Sequence, residues 1–190
     1  FEEGIEGSGV YPGFMKIGVA PEAPLSPLHE KLVRAAARAH LQTGMPIASH
    51  TGPAAPAFGE IAVLEEEGVH PSAFIWVHAQ SEQDFANYEI AARKGAWISL
   101  DGVAGNFEGH LSRLLDCREK GILDQVLLSH DAGWYRPGEP DGGKFTPFTA
   151  LFDALIPRLK EAGFTEDEIH LLVVENPREA FTIRVRARAE

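Results

Sequence analysis

The sequence predicts an α/β protein built on parallel strands, and three observations predict it. Five short apolar runs recur along the chain, helically patterned stretches separate them, and a glycine closes each of those stretches. The runs are residues 13–19, 45–50, 74–78, 96–100 and 126–130. Each is dense in Ile, Val, Leu, Phe or Trp at both odd and even positions, as suits strands buried on both faces of a parallel sheet. The crossovers that parallel strands require are predicted at 27–43, 56–67, 82–94, 107–120 and 147–161. Gly44, Gly68, Gly95, Gly121 and Gly163 stand where a left-handed C-terminal cap favours glycine.

A repeating βα pattern closes either as an open doubly wound sheet or as a barrel, and periodicity alone does not separate the two. The strand ends do. Lys16, His50, His78 and Asp131 lie on or beside the ends of four strands, and the remaining strand ends Leu100-Asp101-Gly102. In a (β/α)8 barrel the carboxyl ends of all strands meet at one mouth, where such residues read as catalytic. The candidates are 34, 28 and 53 residues apart, spacings that fit one or two βα turns each.

Each residue also has a plainer reading. His50 or His78 could hydrogen-bond a loop, Asp131 could cap a turn, and Lys16 could pair with a rim carboxylate. Those readings weaken jointly at four strand ends. His130 should point away from Asp131 by the two-residue strand period and serve packing. His29, His40, His70, His110 and His170 fall in helical or loop contexts and are expected at the surface.

Composition narrows the function classes. The chain has 190 residues, 44% of them apolar, and is expected to form a single domain. A net charge of −11 opposes binding to nucleic acid or to an anionic membrane. Cys117 is the only cysteine, so no internal disulfide or cysteine-ligated zinc site can form, and a reducing cytoplasm is the expected compartment. No apolar run approaches a membrane span. No glycine-rich phosphate loop is present to support a nucleotide-binding sheet. The start at Phe1, directly in a polar segment, reads as that of a truncated chain.

Taken in order, Gly13-Phe14-Met15-Lys16-Ile17-Gly18, Pro46-Ile47-Ala48-Ser49-His50-Thr51-Gly52, Ile75-Trp76-Val77-His78, Leu100-Asp101-Gly102, Leu127-Leu128-Ser129-His130-Asp131 and Glu175-Asn176-Pro177-Arg178-Glu179-Ala180-Phe181 resemble successive motifs of the phosphotriesterase family. The resemblance includes the family's lactonases and spans nearly the whole chain. It implies a (β/α)8 TIM barrel, of which this chain supplies about the last five βα units.

The resemblance further implies a hydrolase with two divalent metal ions bridged by a hydroxide and by a lysine carboxylated by carbon dioxide. Lys16 matches that lysine, His50 and His78 match ligands of the more exposed ion, and Asp131 matches the aspartate that ligates the buried ion and accepts the proton. Zinc is the expected metal, with cobalt, nickel, iron or manganese as alternatives. Two such ions activate water and polarise the scissile oxygen without a serine or cysteine nucleophile. The expected substrate is a small ester: a lactone, a carboxyl ester or a phosphotriester. The short loop after Asp101 favours the first two, and Trp134 and Tyr135 are candidates to wall the pocket. A homodimer is left open. The departure from the family is the lack of its first three strands and of the His-x-His motif on the first. Those are expected in an N-terminal portion outside this sequence; a barrel that binds a small apolar ligand without turnover is the alternative.

Overall fold

A computed structural model describes residues 3–189. Five strands, β1 (Met15–Gly18), β2 (Ile47–His50), β3 (Phe74–Val77), β4 (Trp97–Leu100) and β5 (Val126–Leu128), pair in that order, every pair parallel. An unbroken sequential order is what a barrel segment requires; a doubly wound sheet would reverse direction at a switch point.

The crossovers are α1 (Pro27–Thr43), α2 (Ala54–Glu66), α3 (Ala86–Arg93) and α4 (Phe107–Glu119). In α1 the Ser26 hydroxyl accepts the His29 N–H, Pro27 opens the helix, and Gly44 ends it at φ +73°. A Cβ at Gly44 would lie within 2.7 Å of the Arg184 backbone, so glycine is needed there for space as well as conformation.

The fifth predicted helix begins later than expected. Residues 148–149 form a turn, a π-helical segment follows at Leu151–Leu155, and α5 (Ile156–Glu161) completes it. The same arrangement recurs in a helix the periodicity did not predict: α6 (Glu166–His170), a π segment at Leu171–Glu175, and α7 (Asn176–Ala180). Pro157 and Pro177 each sit two residues past a π segment and cannot donate an i→i−4 bond, so the widened turn accommodates the missing donor.

Alternation along the strands divides the core. Ile47, Phe74, Trp76, Ile98, Leu100 and Val126 face the helices and belong to the large cluster with Val33, Ala37, Ile61, Leu64 and Leu114. Each fully buried Val, Leu, Ile or Phe among these contributes roughly 1.5–3 kcal/mol from burial. The other face carries a smaller cluster of Ala48, Ile75, Trp97, Leu127 and Ala180. Lys16 sits in register with Ala48 on this inner face.

The end of the sheet opposite the strand carboxyl termini is closed by the C-terminal tail. Arg184 N–H donates to the Gly44 carbonyl, Arg188 N–H to the Gly68 carbonyl, and His70 N–H to the Arg186 carbonyl. Among the described residues no helix is long and apolar enough to cross a membrane.

Candidate functional site

His50 is the last residue of β2, paired with Gly18 of β1. A Cβ on Gly18 would stand 3.2 Å from the His50 Cβ, so glycine gives the imidazole room at the rim. Beyond His50 the chain is tied to β3: the Thr51 and Gly52 N–H groups donate to the Val77 carbonyl at 3.3 and 3.2 Å, and the Trp76 indole donates to the Gly52 carbonyl at 2.8 Å.

His78 follows β3 by one residue and takes a left-handed conformation, φ +62°. Its backbone N–H donates to Asp101 Oδ2 at 2.6 Å, and its ring Nδ1 lies 3.2 Å from the same oxygen. Asp101 is itself held: Oδ1 accepts from the Ser99 and Ser129 hydroxyls at 2.7 and 2.9 Å. The consequence is that the His50 and His78 rings meet edge to face with centroids 4.3 Å apart. Asp131 also has positive φ, +42°. For non-glycine residues such backbones cost of order 1–3 kcal/mol and are kept where surrounding structure imposes them, most often at functional sites.

The four sequence candidates come together. His50, His78, Asp131 and Trp134 line a cavity of about 590 Å³ at the strand carboxyl ends. Lys16, His78, Asp101 and Asp131 line an adjoining one of about 320 Å³ over the inner face, with Phe14 and Phe181. The Lys16 amine is pushed below its ordinary pKa by loss of solvent, against the pull of the Asp101, Asp131 and Glu60 carboxylates. His50 is pushed down as well, first by desolvation and then by its neighbours His78 and Lys16. Both effects favour the uncharged bases, the forms able to bind a cation or carbon dioxide.

Among the described residues no three His, Cys, Asp or Glu side chains are grouped as a metal site. His50, His78 and Asp131 are nonetheless residue types that fit part of a metal set, and they line one cavity.

The remaining sequence expectations divide. Trp134 lines the larger cavity, whereas Tyr135 packs over Gly142 outside it. His130 turns to the packing side, accepting the Leu151 N–H on Nε2 between Phe148 and Phe152. The expectation of surface positions fails for His40 and His110, which are buried. His40 Nδ1 lies 2.8 Å from the Met45 carbonyl and its Nε2 accepts the Arg186 N–H; His110 reaches the Asn106 and Asp101 carbonyls at 2.8 Å each. Sequence reasoning gave no role to Asp101, and Glu60 did not figure in it; both are buried, Asp101 in the wall of the inner cavity and Glu60 behind β2.

Residues 1–181 match the phosphotriesterase family. The chain belongs to that family. It is 30% identical over 185 residues to the phosphotriesterase homology protein of Escherichia coli K12, covering 95% of this chain and 62% of that protein. It is 29% identical over 193 residues to the aryldialkylphosphatase of Saccharolobus solfataricus, covering 95% and 61%. A lactonase structure from Listeria monocytogenes superposes with a TM-score of 0.84 at 28% identity, over 96% of this chain and 58% of that one. The chain thus spans about three-fifths of the length of these relatives. Its five βα units are part of a phosphotriesterase-family (β/α)8 barrel, as the sequence led one to expect, and the family includes ester hydrolases acting on phosphotriesters and lactones.

Proposed function

We propose that this chain carries the greater part of the active site of a metal-dependent hydrolase that cleaves a small ester: a lactone, a carboxyl ester or a phosphotriester. The observation that carries the reading is the meeting of the His50 and His78 rings above Lys16, with Asp131 on the same cavity wall.

Lys16, carboxylated by carbon dioxide, would be the residue that holds both of two divalent ions, zinc by preference. Carbon dioxide adds only to a neutral amine, and the lowered Lys16 pKa raises the fraction of that form. Its anionic product would complete the set begun by His50 and His78, whose neutral rings suit zinc, cobalt or nickel. When bound, the two ions supply an acidified water and polarise the scissile carbonyl or phosphoryl oxygen. Asp131 would hold the inner ion and would serve as the acceptor for the proton of that water. Trp134 offers an apolar wall, and a cavity of about 590 Å³ suits a small molecule. Desolvation pushes the buried Cys117 thiol up to about 12, which disfavours the thiolate and any nucleophilic role.

The test is metal content by mass spectrometry on the protein expressed from its complete coding sequence, beside His50→Ala and His78→Ala. About two transition metals per chain, falling in both variants, is the expected result. No metal bound after zinc or cobalt supplementation, or contents equal in all three proteins, would overturn the reading.

A further inference from the structure

Helix α2 turns the stripe Ala57, Glu60, Ile61 and Leu64 toward the sheet, and Glu60 is as deeply buried as its apolar neighbours. Among the described residues no lysine or arginine pairs with it. Its partners are two hydroxyls instead. Ser49 Oγ donates to Oε1, and Thr51 Oγ1 to Oε2 at 2.6 Å. These residues flank His50 on either side, Ser49 on the outward face of β2 and Thr51 at the start of the turn.

A carboxylate is a poor device for merely joining a helix to a sheet. Burying it without a cation costs several kcal/mol, and an apolar side chain of similar volume would serve cohesion better. What a carboxylate offers is two acceptors at a set separation. Here they pin both neighbours of one residue, while β3 holds the same turn from the other side through Val77 and Trp76. His50, whose own ring has no hydrogen bond among the described residues, is thereby oriented through its backbone.

We propose that Glu60 is a positioning residue for His50, setting from behind the strand the angle at which that ring faces His78. The part of this inference that concerns metal rests on the hydrolase reading above; the orientation of the ring does not.

The experiment compares wild-type, Glu60→Leu, Glu60→Gln, Thr51→Val and His50→Ala proteins, all from the complete coding sequence. In the metal-free state, imidazole NMR signals report the His50 environment. Cobalt(II) titration then reports affinity and ligand-field bands, and circular dichroism checks the fold. Glu60→Leu is expected to move the His50 signals, weaken cobalt binding by roughly 10–100-fold and alter the bands. Glu60→Gln, which keeps one acceptor and can donate to a hydroxyl, should recover most of that loss. Thr51→Val removes one anchor and should show a smaller change in the same direction, which keeps the test decisive if Glu60→Leu does not fold. Unmoved His50 signals and unchanged cobalt bands in the folded Glu60 and Thr51 variants would overturn the positioning role. Unchanged cobalt binding in His50→Ala would instead overturn the metal reading, leaving the metal-free His50 signals to decide the role of Glu60.

Discussion

Two pairs of histidines in this molecule are built in opposite ways. His40 and His110 lie inside helix-packed layers, and each has both ring nitrogens against backbone groups. His50 and His78 stand at the mouth, where the His50 ring has no hydrogen bond among the described residues and the His78 ring has Asp101 alone. The first pair completes main-chain hydrogen bonding where water is excluded, so its chemistry is used up by the fold. The second pair is held by its backbones, with ring nitrogens left over. Spare hydrogen-bonding capacity on a firmly held side chain separates a functional residue from a structural one here; residue type does not.

Substitution should expose that difference most strongly in stability. His40→Ala strands the Met45 carbonyl and the Arg186 N–H and opens a cavity beneath β2, a loss of about 2–4 kcal/mol. His50→Ala removes an exposed ring and should change stability by only about 0.5 kcal/mol. Denaturant unfolding of the complete protein checks both. Equal losses would mean that the mouth histidines are structural too and would collapse the distinction.

The same contrast explains what the sequence could convey. Strand order, four of the helices and the meeting of Lys16, His50, His78 and Asp131 follow from apolar runs and their polar ends, because a parallel βα repeat brings every strand end to one side. The buried polar residues were legible in principle and were read wrongly or passed over. His40 extends the stripe Val33, Ala36, Ala37; His110 begins the stripe Arg113, Leu114, Cys117; Glu60 sits between Ala57 and Ile61. Each keeps the i, i+3, i+4, i+7 spacing of a buried face, so position outweighed polarity. The left-handed turns at His78 and Asp131 had no such signal, since neither residue is a glycine and the backbone is imposed by tertiary contacts. The role of Asp101 was equally hidden, for its partners lie on three different strand ends.

Glu60 sharpens the comparison through pH. Burial pushes its pKa up to about 7 from 4.5, with the Ser49 and Thr51 hydroxyls and the nearby Lys16 charge opposing. Because the folded value lies above the unfolded one, the folded state keeps a proton that the unfolded chain has already released. The contribution to stability is therefore complete below about pH 4.5, falls as pH rises toward 7, and is flat above. A shift of this size corresponds to about 3 kcal/mol. Glu60→Gln should lose that slope, so the gap in unfolding free energy between variant and wild type should change across this window in favour of the variant. Parallel curves for the two proteins would show that Glu60 stays ionised throughout, as a solvated carboxylate would.

The smallest expected effect concerns how His78 is held. Asp101 receives its backbone N–H and its ring on one oxygen and two serine hydroxyls on the other, so both a geometry and a charge are supplied. Asp101→Asn preserves the geometry, because the amide oxygen can face His78 while the serine hydroxyls rotate to accept from the amide nitrogen. It removes only the charge. Carboxylate partners of ligating histidines are worth roughly 10–100-fold in metal affinity, so Asp101→Asn should weaken zinc binding by about tenfold and Asp101→Ala by nearer a hundredfold. If both variants lose the same amount, the charge on Asp101 dominates, as expected of a partner that makes the ring more basic. If Asp101→Ala binds zinc as the wild type does, the left-handed backbone at His78 positions the ring unaided, and the likeness between Asp101 behind one mouth histidine and Glu60 behind the other would be one of placement without function.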